Sequence, residues 1–259
     1  MTYKTYSTKL LLWLPLSIVA LLLVNISLGS IHIPVTEIIS WLTGGQTSKE
    51  SWDNILMDFR LPKALAAIGV GLGLSIAGLQ MQTLFRNPLA GPFVLGLSSG
   101  ASLGVALLFL VGLGGTASLI SSSWLVVIAA SIGAGLVLSL VLLVSIKVRD
   151  SMTLLIIGLM FASLTGAVVG ILQYFSTGEE IQVYLFWTFG SLGGLSWNEV
   201  TVLLIIIFVG VLLSFFSIKP LNALLLSENY VQSMGLSIKS IRFLIIASTS
   251  LLAGSITAV

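Results

Sequence analysis

The feature that most constrains this chain is a series of long stretches with almost no charge. Seven of them, at roughly 10–29, 61–84, 92–113, 123–146, 152–175, 200–218 and 241–259, are mostly Leu, Ile, Val, Ala and Gly, with no Asp, Glu, Lys, Arg or His in their middles. About 20 such residues in a helix cover a hydrocarbon core about 30 Å thick. Lipid offers backbone N–H and C=O groups no partners, so only helices and closed barrels can cross it. Runs without polar–apolar alternation exclude barrel strands. The sequence therefore predicts an all-α polytopic membrane protein. Of its 259 residues 57% are hydrophobic and 8% charged, against about 25% charged in soluble domains. A shorter run, Val183 to Leu195, cannot span and reads as a re-entrant or interfacial helix. The first run follows Lys4 and Lys9, as a signal peptide would. It is longer than a signal core and lacks a small-x-small cleavage site, so it reads as a retained span.

Charge sets the expected orientation. With the N-terminus in the cytoplasm, the inner segments hold Lys4, Lys9, Arg86, Lys147, Arg149, Lys219, Lys239 and Arg242, leaving only Lys49, Arg60 and Lys63 outside. Every inner connection then carries a basic residue, as the positive-inside rule requires. Only Asp150 and Glu228 among the acidic residues lie inside. Trp13, Trp41, Trp52, Trp124, Trp187 and Trp197 fall near span ends or in loops, as interfacial anchors do.

Several chemistries are excluded. There is no cysteine and one histidine, His32, so thiol catalysis, disulfides, thiolate metal sites and HExxH zinc sites are ruled out. His32 reads as a solvated outer-loop residue. No ionisable residue lies at membrane depth, which counts against a proton-driven carrier; sodium sites built from carbonyls and hydroxyls stay open. Ser75, Gln80, Gln82, Ser131, Ser163, Thr165 and Gln173 serve either as interhelical hydrogen-bonding groups or as the lining of an uncharged passage for a bulky solute. "GVGLGLSIAG" has no following GK[ST] and reads as helix packing rather than a phosphate loop. Gly69/Gly73, Gly100/Gly104 and Gly166/Gly170 stand four apart and permit close helix approach. The chain is read as a non-enzyme: it uses no cofactor, contacts no nucleic acid, and any uphill transport draws energy from another chain.

Four segments stand out. "RNPLAGPFVLGLSSGA" (86–101) interrupts two apolar runs. Pro88 and Pro92 break helix continuity, and Gly91, Gly96 and Gly100 let backbone pass closely. This is either a turn anchored by Arg86 or something more specific. Arg60 and Lys63 stand three apart where the second span begins, on one face if helical, as partner contacts or as snorkelling anchors. Glu179 and Glu180 read as a solvated outer turn. Pro220 to Ser240 is the longest inner connection. Pro220 is expected to end the sixth span and Gly235 to stop a short helix. Leu224, Leu225, Val231, Met234 and Leu236 need a surface, either a partner or the inner ends of the bundle.

Three motifs carry a resemblance. "RLPKALAAIGVGLGLSIAGLQMQTLFRNPLAGPFVLGLSSGASLG" (60–104) resembles the signature region of the FecCD-type permeases, the membrane subunits of ABC importers for iron–siderophore complexes, heme and vitamin B12. "LFWTFGSLGGLSWNEV" (185–200) is similar to that family's short helix before span six, and "LNALLLSENYVQSMGLSIKSIRF" (221–243) to its ATPase-contacting loop. Lys63, Gly91, Ser227 and Met234 depart from the commoner family residues. The resemblance implies a single permease domain over 1–259 in the plasma (inner) membrane of a bacterium. It also implies a second permease subunit, identical or not, cytoplasmic ABC ATPase subunits, and an extracytoplasmic binding protein that delivers the cargo. Ferric siderophore is the expected cargo, with heme or vitamin B12 as alternatives. An ATPase-independent secondary transporter or channel, and a non-transporting structural protein, are the rivals from other classes. By position, Arg60 and Lys63 are expected to dock the binding protein. Asn87 and Leu89, with Ser151 and Thr153 behind them, are expected to form the cytoplasmic gate. Asn222, Leu225, Glu228, Met234, Gly235 and Leu236, within a coupling loop at about 219–240, are expected to meet the ATPase. Family members have ten spans, so about seven present here implies a chain lacking the last three.

Overall fold

The computed structural model describes residues 6–111, 123–148 and 151–258. Among the described residues every regular element is a helix: α1 (Tyr6–Ser27), α2 (Val35–Leu42), α3 (Glu50–Asn54), α4 (Leu61–Phe85), α5 (Leu97–Leu110), α6 (Ser123–Lys147), α7 (Ser151–Phe175), α8 (Gly178–Phe189), α9 (Trp197–Leu226), α10 (Glu228–Ser233) and α11 (Ile238–Ala258). Five stretches are long and apolar enough to cross a membrane: Glu50–Phe85, Trp124–Val141, Met152–Phe175, Trp197–Leu226 and Ile238–Ala258. Trp13–Ser27 and Leu97–Leu110 are apolar but shorter.

Several expected boundaries are corrected. The run 92–113 is not one span. Pro92–Leu95 forms a single tight turn, Gly96 adopts a left-handed φ of 77°, and α5 starts afresh. At 14 residues it is about 21 Å long. The second span does not begin near Arg60. The chain is helical from Glu50, through a π turn at Ile55–Arg60, into α4. Pro220 does not end the sixth span, because α9 runs through it to Leu226. A proline withdraws one N–H and crowds one carbonyl, and the turns on either side hold the helix. The short run at 183–195 is helical over Gly178–Phe189, begun by a capping box in which Thr177 Oγ1 and the Glu180 side chain satisfy each other's backbone N–H. Glu180 is thus a cap, beyond the solvated turn expected of it.

The chain divides into two compact units, the first comprising residues up to Ile68 with Leu192–Val200, the second Gly69–Ser191 with Thr201 onward. In the first, Ile26, Ile33, Ile38, Leu56 and Ala64 form the buried core, with Trp41 and Trp52 partly buried against it. The Lys49 ammonium stands 5.0 Å from the centre of the Trp52 ring. The Glu37 carboxylate accepts the Ser48 N–H at 2.9 Å and the Ser48 hydroxyl; the hydroxyl bond first, then the amide bond, hold its carboxyl below the usual carboxylate range. Trp197 Nε1 donates to the Met57 carbonyl at 3.0 Å. Ser196 and Glu199 form a cap of the same kind, S-x-x-E, at the start of α9.

The second unit is held by glycine contacts and one polar cluster. A Cβ on Gly104 would overlap the Ala129 carbonyl, one on Gly100 would lie 2.7 Å from the Gly133 oxygen, and one on Gly158 would lie 2.5 Å from the Val94 oxygen. Backbone therefore meets backbone where α5 crosses α6 and where the 92–95 turn crosses α7. Gly69 and Gly73 face Leu204 and Ile256. Among the described residues nothing lies within 4 Å of a Cβ at Gly91, Gly166 or Gly170, so the close approach expected at these three is not made there. Of the intramembrane polar residues, Gln80 bridges helices: it donates to Ser217 Oγ (3.1 Å) and Ser248 Oγ (3.3 Å) and accepts from Thr249 Oγ1 (2.7 Å). Ser75, Ser163 and Thr165 instead return their protons to their own helices, the i−4 pattern open to any helical hydroxyl. Gly133→Val should destabilise the purified protein by at least about 2 kcal/mol, the cost of overpacking. Gly166→Ala should be neutral or gain up to about 1 kcal/mol from helix propensity. Thermal unfolding in detergent measures both.

Candidate functional site

α4 ends in a Schellman motif. The Asn87 N–H bonds the Gln82 carbonyl at 3.1 Å and the Arg86 N–H bonds the Thr83 carbonyl at 3.3 Å. Arg86 takes the left-handed position at φ 49°, the only non-glycine residue described there. Glycine is usual at this position, and a side chain costs roughly 1–2 kcal/mol. The Arg86 side chain reaches across: its Nη2 donates to the Leu224 carbonyl at 2.6 Å. Leu224 lies in the last turn of α9, where carbonyls lack helical partners and a cation is favoured by the helix dipole.

The turn that follows is built by Asn87. Its Oδ1 accepts the Leu89 N–H at 2.9 Å and its carbonyl accepts the Ala90 N–H at 3.1 Å, with Pro88 presetting φ at the first corner. Ala90 is buried and Leu89 is 89% exposed. The expected gate pair is therefore one residue that shapes the turn and one apolar residue carried at its tip. Pro92 then starts the tight turn that ends at Gly96, where a Cβ would sit 3.1 Å from the Gly158 carbonyl.

The segment expected to meet an ATPase lies against the same cluster. Ala223, Leu224 and Val231 are buried with Leu84, Phe85, Ala90, Leu95 and Leu154. α10 starts at Ser227, whose Oγ accepts the Tyr230 N–H at 3.0 Å. It ends in a Schellman motif at Gly235 (φ 74°), with the Leu236 N–H on the Val231 carbonyl at 3.2 Å. Gly235 stops a short helix as expected. The loop itself is shorter than 219–240, since only Ser227 and Met234–Ser237 are non-helical. The apolar residues expected to need a surface divide: Leu224 and Val231 are buried, while Leu225, Met234 and Leu236 are exposed, as are Leu226 and Tyr230. Asn222 is exposed on α9. The side chains of Glu228 and Ser151 lie outside the described residues. Thr153 is exposed in the first turn of α7 beside buried Leu154. Arg242 is expected from the sequence only as an inner basic residue. It is 3% exposed, and its Nη1 donates to the Val148 carbonyl at 3.1 Å.

Arg60 is the main correction. It is not offered outward with Lys63: it is buried, and its guanidinium donates to the carbonyls of Ile26, Ser27 (2.8 Å for Ser27) and Ile31 at the end of α1. A guanidinium presents five donors in a fixed fork, and the chain turning after α1 presents carbonyls to it. A Cβ on Gly29 would lie 3.0 Å from Arg60 Nη2, so glycine makes the room. Lys63 is exposed. Both residues line a cavity of about 350 Å³ with Asn25, Ser30, Phe59 and Gly193. His32 is exposed in the same loop. Among the described residues, no three His, Asp or Glu side chains gather to hold a metal.

Three comparisons bear on this arrangement. A model of the FecCD transport family matches residues 17–259. The chain is similar to the hemin transport system permease of Yersinia pestis, 30% identical over 95% of this chain and 73% of the relative. It is also similar to the vitamin B12 import system permease of Photorhabdus laumondii, 33% identical over 83% of this chain and 63% of the relative. A solved structure described as an inward-facing conformation of a metal-chelate type ABC transporter superposes with a TM-score of 0.81 and 27% identity, over 97% of this chain and 75% of that one. The chain thus spans about two thirds to three quarters of the length of these proteins. Replacing Arg60 with methionine should cost about 2–3 kcal/mol, since buried carbonyls lose a charged donor. Lys63→Met should stay within about 0.5 kcal/mol, as exposed substitutions do; thermal unfolding reads the difference.

Proposed function

The chain belongs to the FecCD transport family, and from that membership we propose that it serves as the membrane-spanning permease of an ATP-driven importer of bulky metal chelates. One observation carries the reading. The exposed Leu89 turn and the short helix α10, with its exposed Tyr230, Met234 and Leu236, stand on one buried apolar cluster. A gate and a drive element set on shared packing are what an ATP-coupled passage needs, and a channel needs no drive element. The N-terminus lies in the cytoplasm, which puts this cluster at the inner face, in keeping with the inner basic residues. Two permease subunits enclose the path, through Asn87 and Leu89 with Ser151 and Thr153 behind them. Two ATPases seat on Leu225, Met234 and Leu236, with Asn222 and Glu228 beside the contact and Gly235 ending its helix. The permease itself performs no catalysis.

A ferric siderophore is the proposed cargo, with hemin and cobalamin as the alternatives that the two relatives' names suggest. Uptake of the three labelled chelates by proteoliposomes holding the full-length complex separates them. An extracytoplasmic binding protein delivers the cargo by docking at Lys63, which Arg60 positions by holding the end of α1. Lys63→Glu should weaken docking, and the defect should shrink as salt rises from 0.05 to about 0.5 M, because exposed pairs are screened. Titration of the binding protein against the purified complex measures it; unchanged affinity removes Lys63 from the dock.

Replacing Met234 and Leu236 together with aspartate should leave the permease inserted. It should lower ATPase copurification by about tenfold or more, the scale of losing an apolar interface anchor, and abolish cargo-stimulated hydrolysis. Normal copurification and stimulation would remove this loop from the ATPase contact.

A further inference from the structure

We infer that Arg86 and Arg242 are positioning residues, two directional ties that link the flanks of the 227–237 segment to the two gate segments and make them move with it. The inference rests on the gate-and-drive reading above. On one flank, Leu224 precedes Ser227 by three residues, and its carbonyl receives Arg86 Nη2 at 2.6 Å. Arg86 is bonded covalently to Asn87, the residue that folds the Leu89 turn. On the other flank, Arg242 lies in the first turns of α11 and donates Nη1 to the Val148 carbonyl at 3.1 Å. Val148 directly follows α6, three residues before α7 opens with Ser151 and Thr153.

Both ties end on the carbonyl at or near a helix C-terminus, where acceptors are unused and a cation is favoured. The packing between the same elements is apolar: Ala90, Leu154, Leu224, Val231, Ile241 and Ile245 share one cluster. Burial of apolar surface is non-directional, so such a cluster holds elements together while tolerating a small slide between them. A charge-assisted hydrogen bond fixes a distance and an angle. The ties therefore convert loose adjacency into a defined displacement. Arg86 shows this most plainly. Its backbone conformation suits glycine, so what arginine contributes at that position is the reach of its side chain to Leu224.

This backbone makes a clean test available. Arg86→Gly removes the tie and relieves the left-handed residue at once, so the helix end keeps its fold. Residues 1–259 contain no cysteine, so Leu89→Cys, labelled before assembly in a full-length subunit with any cysteine elsewhere replaced by serine, carries an environment-sensitive fluorophore as a gate reporter. The full-length subunit is assembled with its ATPase and binding protein in nanodiscs, with and without Arg86→Gly, and separately with Arg242→Gln. ATPase stoichiometry, ATP hydrolysis, the reporter's response to ATP and cargo moved per ATP are recorded. Each variant should bind the ATPase at normal stoichiometry and hydrolyse ATP within about twofold. The reporter response to ATP and the cargo moved per ATP should fall by about fivefold or more, the scale of losing one charge-assisted bond. Arg86→Lys should restore part of the response, since a point donor reaches the same carbonyl without the planar fork. A reporter response within twofold of the parent in Arg86→Gly overturns the inference. So does loss of ATPase binding in that variant, which would make Arg86 part of the seat. If the parent complex neither binds the ATPase nor responds to ATP, the gate-and-drive reading fails and takes the inference with it.

Discussion

Everything in this molecule follows from lipid's inability to hydrogen-bond a backbone. Inside a helix the constraint is met automatically, and the long apolar helices need nothing more. At helix ends it is not met, because the last carbonyls of each helix have no intrahelical donor. The structure answers this locally, with the chain's own turn chemistry and with long cationic side chains. Asn87, Ser196 and Ser227 close turns and helix starts with their own oxygens. Arg60, Arg86 and Arg242 lend donors to carbonyls 34, 138 and 94 residues away in sequence. Three of the chain's few charges thus spend their donors on backbone.

The second determinant is how the long helices approach one another when none of them carries a marked polar face. Without water between them, apolar faces gain little from meeting, and close packing of small residues sets the contacts. The α5–α6 crossing is made backbone to backbone at Gly100, Gly104 and Gly133, and the Gly96 turn sits against Gly158 on α7. Rigid crossings of this kind leave the exposed Leu89 turn on a firm base. A buried polar cluster, Gln80 with Ser217, Ser248 and Thr249, ties three helices in the same unit with no charge at all.

Much of the fold was legible residue by residue. Apolar length alone placed α4, α6, α7, α9 and α11. Gly235 could be read as a stop because a left-handed C′ position accepts it without strain. The S-x-x-E of Ser196–Glu199 was equally readable and carries a signal the hydropathy pattern hides. Other features were not readable. Pro220 looks like a terminator and is not one, since a helix supported on either side tolerates a single lost bond. Gly166 and Gly170 have the spacing of a packing pair, yet among the described residues no helix packs on them. Gly133 and Gly158 lack a glycine four residues away and nonetheless meet backbone directly.

Sequence by itself determined that the chain is helical, that it lies in a membrane, and which short motifs break its spans. These follow from the number and order of residues, because the cost of placing charge or bare backbone in lipid is large and local. Only the tertiary structure decided what each charge does. Arg60 and Lys63 are both basic and three residues apart, and no pattern distinguishes them. One is buried among the carbonyls that end α1 and the other is left at the surface, because the acceptors that capture a guanidinium come from a turn about 30 residues earlier in the chain. The same holds for Arg86, whose partner Leu224 is brought within 2.6 Å only when α4 and α9 pack. A long-range donor–acceptor pair has no signature in sequence, since its two halves are ordinary residues until folding brings them together.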